Sequence, residues 1–330
     1  MTKALALIFG LSVVLAGCGG AAASNSGQSI RHVTLLLDWY PNSDHGGVYA
    51  AIQRGYLGAR HVDLKPEVPS NTSAQIPLVA AGRAEFAITY EADLLNAQTR
   101  HLPVRSVMCV VQHPLNTVMS LKNSGITRPR DLDGKTVGIA GVPSDRVTIQ
   151  ALVRHDGGSF SSVHLENVGY NLLAVLEAKR VDAVEGVYWT WEAIKARQAG
   201  YPVNVMRVER WGVPNYCELV VITNTKTIRD NPGLVRDTVQ ALQQGYAFAA
   251  SHPARAWEAL YAADKALHRK LVLASLKLLA PLETDARTVG YQDPAQWKHY
   301  AAWLWANRLI PARVNATTAF TNEFLKPGIK

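Results

Sequence analysis

Only three cysteines occur in 330 residues, Cys18, Cys109 and Cys217, so no disulfide framework or thiolate cluster organises this chain. There is no C-x-x-C pair, no H-E-x-x-H pair and no G-x-S-x-G elbow. These absences remove the common redox, zinc-hydrolase and serine-hydrolase chemistries. The segment Asp133-Gly134-Lys135-Thr136 has the end of a phosphate loop, but the position that needs its first glycine is Pro129. His45, His101, His113, His155 and His164 are dispersed without ligand spacing, so no metal and no cofactor is called for. Basic residues outnumber acidic ones, 34 to 26, for a formal charge of +8. They form no run, so the charge does not imply a nucleic-acid partner.

What is present begins at the N-terminus. After Lys3 comes the apolar run ALALIFGLSVVLAG, too short for a stable bilayer span and suited to a secretory signal. It ends in Leu15-Ala16-Gly17-Cys18, a pattern that resembles a bacterial lipobox. That resemblance implies a signal peptide over residues 1–17 and diacylation of Cys18, with the protein lipid-anchored at the extracytoplasmic face of the cell membrane. Residues 18–30 are small and polar and read as a flexible tether. Cys109 and Cys217 then form an even pair in an oxidising compartment. A disulfide is permitted by that count and not implied by it, since free buried cysteine is the alternative.

About 300 residues remain, more than one core usually holds, so two lobes are expected. Strands alternate with helices, which predicts an α/β architecture with mainly parallel sheets. A short echo supports duplication: Arg83-Ala84-Glu85-Phe86-Ala87 and Arg180-Val181-Asp182-Ala183-Val184 each join a helix to a strand, an aromatic loop and a second helix. Residues 31–115 and 222–330 are expected to make lobe 1, and residues 116–221 lobe 2. Two strands, in PLNTVMSLKNS and CELVVITNTK, would carry the chain across and back, forming a hinge. From Pro232 onward the pattern is helical, with Trp297, Trp303 and Trp305 expected in core packing.

In open parallel sheets a ligand crevice lies beyond the carboxyl ends of the strands. Those ends are Asp38-Trp39, Tyr90-Glu91, Gly141 to Ser144, and Glu185 to Trp189. Aromatic faces stack on a flat ring, and carboxylates accept hydrogen bonds from ring NH or exocyclic amino groups. Trp39, Tyr90, Tyr188 and Trp189 supply faces, and Asp38, Glu91 and Glu185 supply acceptors. An oxoanion would instead require clustered arginines, so a neutral or cationic heterocycle fits better. Asn71 and Ser144 open helices that would face the crevice, where each either caps its helix or meets the ligand. Asp44-His45 has the residue types of an acid-base pair, but neighbours in a turn usually point apart.

LLLDWYPNSDHGGVYAAIQRGYL, PLVAAGRAEFAI, LDGKTVGIAG and RVDAVEGVYWTWE together resemble the periplasmic-binding-protein-like group that contains bacterial thiamine-pyrimidine precursor-binding lipoproteins and fungal hydroxymethylpyrimidine phosphate synthases. D-W-x-P-N-x-x-H-x-G is the specific part; the other motifs are shared with sulfonate- and nitrate-binding proteins. The resemblance implies a monomeric, two-lobed (type II) binding protein that serves the permease and ATPase of an ABC importer. It carries ligand contacts onto Asp38, Trp39, Asn42, His45, Tyr90, Glu185, Tyr188 and Trp189. Its ligand would be a formylaminopyrimidine or hydroxymethylpyrimidine, with riboflavin, sulfonate or nitrate as alternatives. The synthase branch needs a lysine near the loop histidine and a cysteine-rich motif. No lysine occurs from Asp38 to Arg54 and no cysteine cluster is present, so a non-enzymatic role is expected.

Overall fold

The computed structural model describes residues 1–2, 29–285 and 287–330. The signal segment, Cys18 and most of the tether lie outside the described residues. In chain order the first elements are β1 (Arg31–Leu36), α1 (Gly46–Gln53), β2 (Val62–Glu67), α2 (Gln75–Ala80), β3 (Phe86–Thr89), α3 (Glu91–Gln98) and β4 (Val104–Val111). There follow β5 (Asn116–Leu121), β6 (Thr136–Ile139), α4 (Pro143–His155), β7 (His164–Asn167), α5 (Leu172–Glu177), β8 (Ala183–Tyr188), α6 (Glu192–Gln198) and β9 (Val203–Arg207). The chain then returns through β10 (Leu219–Asn224) into α7 (Thr225–Asp230), α8 (Pro232–Ser251), α9 (Pro253–Ala263), α10 (Arg269–Thr284), α11 (Pro294–Ala306) and α12 (Ala316–Ala319).

The strands form two five-stranded sheets, ordered β2-β1-β3-β10-β4 and β7-β6-β8-β5-β9. The two orders are the same pattern, with β6 to β9 in the places of β1 to β4. Each sheet has one inserted strand, β10 in the first and β5 in the second, and both insertions run antiparallel to their neighbours. The sheets are therefore mixed rather than mainly parallel as the sequence pattern predicts. The reason is topological: a strand that enters a sheet directly from the other lobe has no crossover helix to reverse it. Leu219 already pairs with Val111 in the first sheet, so that lobe resumes before residue 222, where the sequence pattern places its return.

Both faces of the first sheet are covered. Leu35, Phe86, Ile88 and Val221 pack toward α1, α8 and α10, while Leu36, Ala87, Val220 and Ile222 pack toward the opposite helices, including α11. Double burial explains why LVVITN is almost continuously apolar. Cys109 of β4 and Cys217 are joined in a disulfide, which resolves the alternative that the sequence leaves open.

Helix α1 starts in the motif D-H-G-G, and its glycines are there for packing. A Cβ on Gly47 would overlap the ring of Tyr246, and one on Gly245 would overlap the carbonyl oxygen of Gly47, so α1 and α8 meet backbone to backbone. Tyr246 in turn donates its hydroxyl to the Asp44 carbonyl at 3.0 Å, fixing the loop that follows β1. Replacing Gly47 by alanine is expected to lower stability by about 1–3 kcal/mol through overpacking, measured by urea denaturation.

Candidate ligand-binding cleft

The lobes meet along the strand ends. Thr72 Oγ1 of the first lobe donates to the Ala140 carbonyl of the second at 2.6 Å, and Tyr170 of the second donates to the Pro69 carbonyl of the first at 3.0 Å. Trp39 stands edge-on to Tyr170, with ring centroids 4.7 Å apart, and Tyr40 packs on the same ring. Between the lobes lies a small cavity of about 30 Å³. Tyr90 and Ala92 line it from the first lobe, and Asn116, Ser144, Asp145 and Tyr188 from the second; Tyr216 and Glu218 of the return crossing and Tyr300 of α11 complete the wall.

Of the sequence candidates, Tyr90, Ser144 and Tyr188 therefore border the cleft. Two others stand directly behind its wall. Asp38 is buried and accepts from His45 Nε2 at 2.8 Å and from the Tyr90 hydroxyl at 3.3 Å. Glu185 is fully buried, accepts from Asn116 Nδ2 at 2.7 Å and is hydrogen-bonded to Asp145. Gly186, the next residue, is a β-bulge opposite Thr117 and Val118, with φ of +85°, a conformation open to glycine. The bulge turns the end of β8, so Tyr188 reaches the cleft while Glu185 stays behind.

The remaining candidates serve the frame. Asn42 Oδ1 accepts from the Asp44 amide at 2.7 Å, and His45 Nδ1 accepts from the Asn42 amide at 3.3 Å. With Nδ1 an acceptor, Nε2 carries the hydrogen that His45 gives to Asp38. His45, expected at the ligand, is instead wholly buried and orients Asp38. Asn71 is exposed and accepts from the Ser73 amide at 3.1 Å, so it shapes its turn, and the neighbouring Thr72 makes the contact across the lobes. Glu91 points away from the cleft, accepting from the Cys217 amide at 2.7 Å and Gln296 Nε2 at 3.0 Å; burial pushes its carboxyl up to about 8. Trp189 donates to the Pro114 carbonyl at 3.2 Å and lies under the Arg207 guanidinium, 4.1 Å from its ring centroid, which leaves it outside the cleft lining. Trp39 contacts Tyr170 rather than the lining.

Sequence reasoning missed Asn116, Asp145, Tyr216, Glu218 and Tyr300. Asn116 and Glu218 sit at the beginnings of the antiparallel strands β5 and β10 or just before them. The rule of carboxyl ends overlooks such strands, because an antiparallel strand brings its start to the crevice. Asp145 had a signal: Val142-Pro143-Ser144-Asp145 puts proline at the first helical position and an acid at the third. Its carboxylate accepts from the amides of Gly141 at 2.6 Å and Val142 at 2.9 Å. Tyr300 was hidden among core residues; its ring stacks on Tyr216 at 4.6 Å between centroids.

The electrostatics are one-sided. Among the described residues no lysine, arginine or histidine lines the space. Burial pushes Glu218 up to about 7, and burial pushes Asp145 up to about 7 against the pull of its backbone donors. Glu185 is driven well above the usual carboxylate range by burial and by Asp145, so it is the partner that keeps the proton in their shared bond. Asp93, raised to about 7 by burial and then by Asp145, reaches across to hydrogen bonds from Ser144. Glu218 Oε2 accepts from the amides of Leu115 at 2.7 Å and Asn116 at 3.0 Å and from the Tyr216 hydroxyl at 3.0 Å. The hydroxyl of Tyr188 lies beside Glu218 without a well-aligned bond. Such a space offers acceptors and aromatic edges, and it offers no cation for an anionic ligand.

A family profile described as NMT1/THI5 like matches residues 42–256. The chain belongs to that family. It is similar to the formylaminopyrimidine-binding protein of Halalkalibacterium halodurans, 32% identical over 323 residues that cover 96% of this chain and 96% of the relative. A 4-amino-5-hydroxymethyl-2-methylpyrimidine phosphate synthase of Saccharomyces cerevisiae is 26% identical, with 90% of this chain and 89% of the synthase covered. The fold is shared with the alkanesulfonate-binding protein of Xanthomonas axonopodis pv. citri, at a TM-score of 0.72 and 16% identity over 89% of this chain and 99% of that one. The two-lobed α/β architecture expected from the sequence is thus that of a solved solute-binding protein.

His45→Ala leaves the buried Asp38 carboxylate without its charge-assisted donor. It is expected to lower unfolding free energy by about 2–3 kcal/mol in urea denaturation.

Proposed function

We infer that this protein is the substrate-binding component of an ABC importer and that it takes a thiamine-related aminopyrimidine, a formylaminopyrimidine or hydroxymethylpyrimidine, between its lobes. The single observation that carries this reading is the lining itself: Asp145 and Glu218 face the space with Tyr90, Tyr188, Tyr216 and Tyr300, and among the described residues no basic side chain joins them. A flat ring bearing amino and NH donors matches that set, whereas an alkanesulfonate would meet two carboxylates and no arginine. Membership of a family whose members include a formylaminopyrimidine-binding protein supports the same ligand class.

The ligand contacts belong to this reading too. Tyr188, Tyr90 and Glu218 would touch the ligand; Asp38 and Glu185 would act through Tyr90 and Asp145. Binding without turnover is the role that fits, although the yeast relatives are named synthases, so the ligand recovered after incubation is expected to be chemically unchanged by mass spectrometry. The partners would be a permease and an ATPase, with the protein acting as a monomer held to the membrane by lipid on Cys18.

Thermal melting with aminopyrimidines, riboflavin and an alkanesulfonate tests the ligand. The aminopyrimidine is expected to raise the melting temperature, since a ligand that binds only the folded state stabilises it. A rise with the sulfonate alone would overturn the assignment. Calorimetry is expected to show more than tenfold weaker binding for Glu218→Ala and Tyr188→Ala, and affinity within about twofold of the parent for Trp189→Phe. Cys18→Ser should move the protein from the membrane fraction to the soluble one, and a variant that stays with the membrane would refute the lipid anchor.

A further inference from the structure

We propose that the cleft binds its ligand as a cation, with a proton on a ring nitrogen of the heterocycle held by Glu218 Oε1. The proposal rests on the aminopyrimidine reading above and adds the charge state of the ligand and the atom that selects it.

Three donors converge on Glu218 Oε2, from Leu115, Asn116 and Tyr216. No aligned donor among the described residues reaches Oε1, although Glu218 is only 3% exposed and lines the space. A second observation points the same way. The Tyr188 hydroxyl borders the same space, is buried with its residue 8% exposed, and has no aligned partner. One acceptor oxygen and one hydroxyl without a well-aligned partner thus stand beside each other on the wall of the space, close enough to interact with one another. The groups that face Glu218 electrostatically are Asp44 from the loop after β1, Tyr90 before α3, Glu185 and Tyr188 of β8, Tyr216 and Tyr300. All are acids or neutral hydroxyls. No cation is among these groups, so a positive charge that balances Glu218 would come with the ligand.

An aminopyrimidine is an amidine-like base: a proton on the ring nitrogen beside its amino-bearing carbon is shared by resonance, and the resulting N–H is a charge-assisted donor to a carboxylate. In the free state on the alkaline side the ligand is neutral and Glu218 ionised, so neither holds the proton. The complex holds one, between ring nitrogen and Oε1. Binding then forms one N–H bond and takes one proton from the buffer. Linkage requires affinity to fall about tenfold per pH unit above about pH 8, and the fall to level off on the acidic side, where Glu218 or the ligand already carries the proton.

The test is titration calorimetry of the full mature protein with hydroxymethyl aminopyrimidine from about pH 6 to about pH 9, in buffers of differing ionisation enthalpy. Uptake close to one proton per ligand at the alkaline end, abolished in Glu218→Gln, is the expected result. The benzene analogue of the ligand, which has no ring nitrogen to protonate, should bind with no uptake. Pyrimidine binding that is flat with pH and takes up no proton would overturn the proposal and leave the aminopyrimidine reading standing. Uptake that persists in Glu218→Gln would overturn the assignment to Oε1. No binding of the pyrimidine at any pH would overturn both. Should Glu218→Gln fail to fold, as judged by circular dichroism, the pH series and the benzene analogue decide the matter on the parent protein.

Discussion

One carboxylate oxygen holds the two passages between the lobes together. Glu218 Oε2 gathers the amides that end the outgoing passage, Leu115 and Asn116, and the hydroxyl of Tyr216 on the returning one. Among the described residues the chain passes between the sheets by these two crossings, and this oxygen sits where they run side by side. The arrangement fixes the start of β5, the start of β10 and the aromatic wall of Tyr216 and Tyr300 in one stroke. From behind, the Cys109–Cys217 disulfide and the bond from the Cys217 amide to Glu91 tie the same segment to β4 and α3. If the space between the lobes holds the proposed ligand, its wall has to be stiff at the contact and compliant beyond it, and these contacts would supply the stiff part.

Burying so many acids with few cations nearby is costly, and the fold offsets the cost in two ways. Backbone amides at a helix start and a strand start solvate Asp145 and Glu218, and His45 does the same for Asp38. Where amides are lacking, as between Glu185 and Asp145, one member keeps its proton. Asp44 and Glu283 lie further from the cleft and are raised by burial in the same way, Glu283 to about 8. The negative field is therefore smaller than a count of carboxylates implies, and it is concentrated at the acceptors that face the space.

Much of this was legible in the sequence. The echo around Arg83 and Arg180 marks β3 and β8, which occupy the same slot in the two sheets. The motif after β1 gathers candidate residues in the sequence, and Asp38 stands behind the cleft wall. Its individual residues were not legible, because adjacent side chains in a turn diverge: Trp39 leaves toward Tyr170 while Asn42 and His45 turn inward. Trp189 follows Tyr188 in the turn just past the end of β8, where its indole NH bonds to the Pro114 carbonyl and takes the ring away from the lining. Glu218 and Asn116 gave no signal because their significance lies in strand direction, which composition does not report. Tyr300 is separated from Tyr216 by most of the helical C-terminal region, a contact that periodicity along a single helix cannot reveal.

The exchanged strands have a consequence for how the molecule is made. The first sheet has a gap between β3 and β4 until β10 fills it, and β10 follows the whole of the second lobe. Cys109 waits for a partner 108 residues further along the chain. A chain emerging N-terminus first cannot finish its first half alone: two edge strands with unpaired amides and carbonyls stay open until the second half has come out and its last crossing has threaded back. The N-terminal half is thus synthesised first and completed last.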